Sequence, residues 1–332
     1  MQPSRARTRC RVDLAGGTLD IWPLGLLHRG ARTVNVAIDL SVEIRLRPLT
    51  RGFRVDGAEG APIIAAGDVE ELLREPQTRL VGEVLSWLEA PPVEVTIRTR
   101  SPRGAGLGGS SAVTVGLLAA GWHAMGRELP SPTAIAAVAR DLEARLMSLP
   151  TGMQDHLPAL LGGALEIRQR PGGAEIVPIP VDLADLSACL VVAYCGHSHF
   201  SAGANWGIVR RRLDGEQDVT ARLERIAEVA VAMAESLRSG DLSRCGELLT
   251  QEWDARRGLA PGVSTPELET LLAVARQAGA WGGKACGAGG GGCIAVLAPP
   301  ERKAAVREAC AAVGGEVLAA EPSATGLELL DD

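Results

Sequence analysis

Residues 102–112 read Pro-Arg-Gly-Ala-Gly-Leu-Gly-Gly-Ser-Ser-Ala and combine the features that a phosphate group requires. Gly104, Gly106, Gly108 and Gly109 let the backbone turn tightly and approach a ligand closely. The apolar run at 112–125 predicts a helix, whose free N–H groups and dipole favour an anion. Ser110 and Ser111 add hydroxyls for a phosphate oxygen or a Mg2+ ion. Taken alone, the segment is equally readable as a tight strand-to-helix turn. Gly104, Gly106 and Gly109 also fit the G-x-G-x-x-G of dinucleotide folds. Three residues separate them from the preceding strand, however, and no acidic residue closes a second strand about 20 residues on. A Walker A loop needs Gly-Lys-Ser/Thr, and the two lysines of the chain, Lys284 and Lys303, do not supply it. A nucleotide bound here needs a third architecture.

Two further glycine clusters stand near charged residues. Residues 11–20, Arg-Val-Asp-Leu-Ala-Gly-Gly-Thr-Leu-Asp, read as an apolar strand ending in Gly16 and Gly17, with Thr18 and Asp20 behind. Carboxylates suit polyols because they accept hydrogen bonds from hydroxyls. Without other support the segment is an ordinary strand and turn. Residues 282–293, Gly-Gly-Lys-Ala-Cys-Gly-Ala-Gly-Gly-Gly-Gly-Cys, would waste conformational entropy unless the backbone bends tightly or touches something. Ala and Cys intervene and an apolar strand follows, which argues against a flexible linker.

The elements that must position these segments are legible from periodicity. Val42, Ile44 and Leu46 alternate with Glu43, Arg45 and Arg47, a half-buried strand within 33–47. Residues 92–100 alternate likewise and lead into the first glycine loop. A helix is expected at 132–146, with Ser131 as cap and Pro132 in its first position. A buried strand is expected at 186–194, amphipathic helices at 221–239 and 265–278, a glycine loop over 282–292 and a strand at 293–297. The irregular alternation, with several paired strands, points to an α+β fold. A boundary near the Pro-rich stretch 171–180 divides the chain into an N-terminal domain at 1–180 and a C-terminal domain at 181–332.

Composition removes other classes. A net charge of −6 leaves no basic footprint for nucleic acid, and 3% aromatic residues leave little for base stacking. The seven scattered cysteines show no CxxC pair, so zinc and a disulfide framework are not expected. No apolar h-region follows the basic start, and 112–125 is too short to span a bilayer. A cytoplasmic protein with reduced thiols and no membrane partner is the expectation.

The three clusters stand in the order found in the GHMP kinases, the superfamily named for galactokinase, homoserine kinase, mevalonate kinase and phosphomevalonate kinase. Residues 102–112 resemble its Pro…Gly-Leu-Gly-Ser-Ser-Ala phosphate motif. Residues 283–292 resemble its C-terminal Gly-Ala-Gly-Gly-Gly motif. Residues 11–20 resemble the galactokinase segment Arg-Val-Asn-Leu-Ile-Gly-Glu-His-Thr-Asp, with Gly17 and Thr18 in place of Glu-His. That Gly-Gly version, with Gly-Met-Gln-Asp-His at 152–156, is nearer the bacterial heptose-phosphate kinases and fucokinases.

This resemblance implies a two-domain fold with the active site between the domains. It implies ATP and Mg2+ as cofactors and a sugar acceptor, with a homodimer left open. Asp155 matches the proposed catalytic base, and Arg11 the arginine beside it. The nucleotide would lie on Pro102, Gly104, Ala105, Gly106, Leu107, Gly108, Gly109, Ser110 and Ser111. Ser111 and Glu143 would hold the metal. Asp20, with Gly16, Gly17, Thr18, Gln154, Gly287 and Gly289, would face the acceptor. The lysine that mevalonate kinases place near the N-terminus has no counterpart before Lys284, so Arg9 or Arg11 would have to serve. One departure lies at 195–206, where His199 stands in place of a phosphate-reading arginine. His197, His199, Asn205 and Trp206 are either acceptor contacts or a structural loop. A mevalonate-type alcohol kinase, a non-catalytic sugar and ATP sensor and a dinucleotide oxidoreductase are the alternatives.

Overall fold

The computed structural model describes residues 1–57, 63–196 and 202–331. Its first sheet grows from alternating apolar side chains. β1 (Ser4–Ala15) pairs antiparallel along β2 (Arg32–Pro48), where Val42, Ile44 and Leu46 are buried while Glu43 turns outward to Arg5 and Arg7. The sheet continues through β3 (Phe53–Asp56), β4 (Ile64–Ala66), β5 (Val93–Thr99), β6 (Ala164–Arg170) and β7 (Gly173–Ile179). On its far side β2 pairs with β6 over its first half and with β5 over its second. A second sheet holds β8 (Leu190–Tyr194), β9 (Gly282–Ala285), β10 (Cys293–Leu297) and β11 (Glu316–Val317), in the order β11-β8-β10-β9. The last strand, β12 (Glu328–Leu330), returns to the edge of the first sheet beside β1. The expected division at 180 falls between β7 and the next helix.

The helices α1 (Leu24–Leu27), α2 (Val69–Arg74), α3 (Arg79–Leu88), α4 (Gly109–Ala124), α5 (Pro132–Met147) and α6 (His156–Leu161) accompany the first sheet. α4 is apolar on all sides because it is covered on all sides, by β1 and β2 and by α3, α5 and α6. α5 starts as expected: the Ser131 hydroxyl accepts the Ala134 N–H at 3.3 Å, and Pro132 opens the first turn. α7 (Leu183–Cys189), α8 (Ala202–Leu213), α9 (Gln217–Ser239), α10 (Leu242–Arg256), α11 (Pro266–Gln277) and α12 (Lys303–Ala312) follow. One apolar core runs through both halves, joining Val34 and Ile38 of β2 to Val192 of β8 and Ala295 of β10. The fold is α+β, and β3–β5 is the single parallel pairing among the described residues.

Two expectations need correction. The strand expected at 186–194 is helix as far as Cys189, because the Asp182 carboxylate accepts the Ala184 N–H and caps it; extended chain begins at Leu190. The glycine loop expected over 282–292 begins as strand β9. A side chain at Gly282 would collide with the backbone of Gly246, so the glycines there let α10 lie directly on the sheet.

Charge also ties the halves together. Glu166 on β6 is fully buried and accepts from Arg32 at 2.5 Å, from Arg168 at 2.9 Å, and from Arg238 of α9. Burial alone would push its carboxyl up; the surrounding guanidinium groups hold it below the usual range. A group depressed in this way stabilises the fold above its unfolded pKa, and that stability is lost as pH falls through the folded value. Glu166→Gln is expected to lower unfolding free energy at pH 7 by about 1–3 kcal/mol. The gap to wild type should close below about pH 4, read by denaturant titration across pH.

Candidate active site

The loop from β5 to α4 is shaped by left-handed residues at every second position, with φ of 66° at Gly104, 73° at Gly106 and 72° at Gly108. A side chain at Gly106 would come within 2.6 Å of the Cys286 carbonyl oxygen, so the first and third glycine clusters touch. The loop is pinned from both halves: the Arg11 N–H donates to the Leu107 carbonyl at 2.9 Å, and the Cys293 N–H to the Ala105 carbonyl at 2.8 Å. α4 then starts with no side-chain cap on its first N–H groups, the arrangement that receives an anion.

A cavity of about 670 Å³ lies along this loop. Its wall carries residues 102–111, together with Arg11, Thr18, Asp20, Glu143, Gln154, Asp155, Asn205, Gly287 and Gly289. The wall also carries apolar side chains, among them Val55, Ile64, Leu80, Ile97 and Met147. Most of the residues singled out in the sequence therefore share one site. Gly16 and Gly17 do not reach the wall and stand behind Thr18. Trp206 does not reach it either. Successive residues on a helix point about 100° apart, so while Asn205 faces the cavity, Trp206 is 39% exposed to solvent. His197 and His199 lie outside the described residues. A second hollow of about 380 Å³, lined by Asp185, Cys189, Asp241 and Trp281, contains none of the expected residues.

Arg11 stands at the centre of the site. Its guanidinium is 2% exposed; Nε and Nη2 donate to Asp155 Oδ1 at 2.9 and 2.6 Å, and Nη1 donates to the Gly106 carbonyl at 2.6 Å. Burial alone would lower its pKa; Asp155 and Asp13 raise it, so the cation is permanent. Asp155 precedes α6 but caps no N–H, and its side chain stays 30% exposed toward the cavity. Arg9, by contrast, pairs with Glu328 at 2.8 Å, at the strand edge where β12 joins.

Glu143 lies on α5, against the start of α4. It accepts from Ser111 Oγ at 3.1 Å and from Thr114 Oγ1 at 3.0 Å, and His156 Nε2 is 3.2 Å away. Burial alone would push the carboxyl up; His156 and the two hydroxyls hold it below the usual range. The neighbours His156 and Thr114 were not foreseen, since a histidine or threonine on an apolar helix carries no distinguishing signal. Ser111 and Glu143 offer two hard oxygen donors side by side on the cavity wall. Mg2+ takes one or two protein oxygens and completes its shell with water and phosphate, so this pair fits it. Cys286 also reaches the wall, but burial pushes its thiol up to about 12 and removes it from the chemistry.

Four charged residues behind the wall also escaped the sequence. Asp13, Lys284, Glu252 and Arg256 are each at most 2% exposed and form one buried cluster. Asp13 and Lys284 sit inside motifs read for their glycines. The Glu252–Arg256 spacing of four on α10 looks in sequence like an ordinary surface ion pair.

Comparison with known proteins identifies the family. The family model described as GHMP kinases N terminal domain matches residues 74–163, and that described as GHMP kinases C terminal matches residues 233–316. A mevalonate kinase of Thermococcus sibiricus is 32% identical over 250 residues, 72% of this chain and 69% of that protein. The D-glycero-alpha-D-manno-heptose 7-phosphate kinase of Campylobacter jejuni is 24% identical over 316 residues, covering 91% of each chain. Among solved structures, Lactococcus lactis galactokinase complexed with galactose superposes with a TM-score of 0.78 at 17% identity, covering 99% of this chain and 95% of the other. The chain belongs to the GHMP kinase family.

Asp20 supplies a test of the site's electrostatics. Burial raises its carboxyl to about 6, despite a hydrogen bond from the Gln154 N–H at 2.9 Å, and the nearby Asp155 adds to the rise. A carboxyl raised in the fold binds protons more tightly there than in the unfolded chain, so stability falls as pH rises toward 6 and the cost persists above it. Asp20→Asn is expected to stabilise the protein by about 2–3 kcal/mol at pH 8, with no gain at pH 4. Thermal unfolding at the two pH values measures both.

Proposed function

We propose that this GHMP kinase transfers the γ-phosphoryl group of ATP to a hydroxyl of a sugar or sugar phosphate, of the heptose-7-phosphate, fucose or galactose kind. The carrying observation is the chemistry of the acceptor end. Asp20 and Asp155 meet there beside Gln154, whose Oε1 is buried without a partner, and beside Asn205. These groups take hydrogen bonds from hydroxyls. Among the described residues of the wall the cations are Arg11, already paired, and Arg103 of the loop. That balance suits a polyol better than a free carboxylate.

In this reading the triphosphate lies on the loop and the N-terminus of α4, with the base against the apolar side chains of the wall. Ser111 and Glu143 would hold Mg2+, which neutralises phosphate charge when bound. Asp155 lies against the acceptor hydroxyl, orients it and takes its proton as the hydroxyl oxygen attacks phosphorus. Arg11 holds the Asp155 carboxylate in place through two hydrogen bonds and balances charge on the transferring group. Phosphoryl transfer asks little covalent chemistry of a protein, so the rigidity of this pair matters more than its basicity.

A mevalonate-type alcohol is the second reading, favoured by the 32% identity to the Thermococcus enzyme. It loses ground at Asp20, whose carboxylate would face that of mevalonate. ADP release with Mg-ATP across free sugars, phosphorylated sugars and mevalonate separates the two. The expected result is turnover with one sugar class and none with mevalonate; the reverse would overturn the proposal. With the acceptor found, Asp155→Asn should lower kcat by at least about a hundredfold while the KM for ATP stays within about twofold.

A further inference from the structure

The chain holds two lysines among its 34 basic Lys and Arg residues, and one of them, Lys284, is fully buried. Its ammonium donates to the Asp13 carboxylate and, at 3.2 Å, to the Asp13 carbonyl, and lies 3.5 Å from Glu252. Three acceptors around one point suit an ammonium with three donors; a planar guanidinium would leave N–H groups unmet. Asp13 also accepts the Gly287 N–H at 2.7 Å, and burial, which alone would raise its carboxyl, is outweighed by Lys284, Arg11 and Arg256. Glu252 in turn accepts from Arg256 at 2.9 and 2.5 Å.

Arg256 uses its remaining donors on the turn that carries Asp20. Nη1 donates to Thr18 Oγ1 at 3.0 Å and Nη2 to the Gly17 carbonyl at 2.7 Å. Thr18 has a φ of 74°, a conformation that β-branched residues avoid unless their surroundings impose it. Within the turn the Leu19 N–H reaches the Gly16 carbonyl at 3.2 Å and the Ile21 N–H reaches the Thr18 carbonyl at 3.1 Å. These two bonds alone do not explain the strained residue. The outside grip comes from α10, which packs on the second sheet.

We propose that Arg256 is a positioning residue for the acceptor: from α10 it clamps the 16–20 turn, and so fixes where Asp20 meets the substrate. Asp13, Lys284 and Glu252 hold the guanidinium in place. Arg256 does not reach the cavity wall and acts through Thr18 and Gly17. The inference rests on the acceptor end proposed above. It makes the acceptor subsite depend on contact between the two halves of the fold through Arg256, while the phosphate loop joins both halves through different bonds, to Arg11 and Cys293.

The test uses the whole protein with Arg256→Lys and Thr18→Ala. Hydrogen exchange should quicken at least about tenfold at the amides of Leu19 and Ile21, with the loop 104–111 unchanged. In steady-state kinetics the acceptor KM should rise at least about fivefold while the ATP KM stays within about twofold. Arg256→Lys keeps the charge and one donor, so its acceptor KM should lie between those of wild type and Arg256→Ala. Unchanged exchange in the turn, or parallel rises in both KM values, would overturn the proposal. If the Arg256 variants do not fold, Thr18→Ala decides, since it removes no charge. If the wild type phosphorylates no sugar, the acceptor assignment fails while the exchange measurement still judges the clamp.

Discussion

The site depends on one buried guanidinium. A charge taken out of water must find partners for nearly all its donors, or its burial costs several kcal/mol. Arg11 finds them in the Asp155 carboxylate and the Gly106 carbonyl, with Asp13 4.0 Å away, while its own backbone N–H holds Leu107. Each partner belongs to a different piece of the site. Satisfying one side chain therefore fixes Asp155, the glycine loop and the first strand relative to one another. Loss of any one would leave a cation without compensation, so the arrangement is held by the cost of breaking it more than by net attraction.

The two sheets make this placement possible. β1 brings Arg11 and Asp13 to the place where the β5–α4 loop and the β9–β10 loop meet, and the glycines at 106 and 108 give the close backbone approach. A continuous apolar core fixes the distance between the halves, and buried ions such as Glu166–Arg238 and Lys284–Asp13 fix their register. Hydrophobic packing tolerates sliding; a buried ion pair does not, because a small displacement strands both charges.

What the sequence revealed follows from what has a period or a motif. Alternation located β2 and β5, caps located α5, and glycine spacing located the loop that lines the cavity. Asp155 and Arg11, 144 positions apart, were brought together on paper only by resemblance, since nothing local links them. The segment 186–194 was misread because its apolar run suits either a strand or a short helix, and the Asp182 cap decides between them. Trp206 was open to either reading, acceptor contact or structural loop; in the fold it is 39% exposed, while its neighbour Asn205 lines the cavity. The Asp13–Lys284–Glu252–Arg256 cluster was invisible because burial is a property of the fold. In sequence its members are ordinary charges, and only the scarcity of lysine marked Lys284.

The charge balance of the cavity explains why its two ends behave differently. Along the glycine loop the protein supplies backbone N–H groups, hydroxyls, a helix terminus and the single cation Arg103, with the Walker lysine absent. Such donors are fixed and pay little reorganisation, yet they cannot neutralise a triphosphate; in the proposed reading a divalent cation at Ser111 and Glu143 would supply the remaining charge. At the Asp20 end the balance is inverted. Burial raises the Asp20 carboxyl to about 6, and the nearby Asp155 adds to the rise. In the proposed reading, a ligand bringing hydroxyl donors would offset the cost of a buried Asp20 carboxylate, and one bringing another anion would add to it. Selectivity for a polyol would then follow from the same burial that makes Asp20 unfavourable for folding.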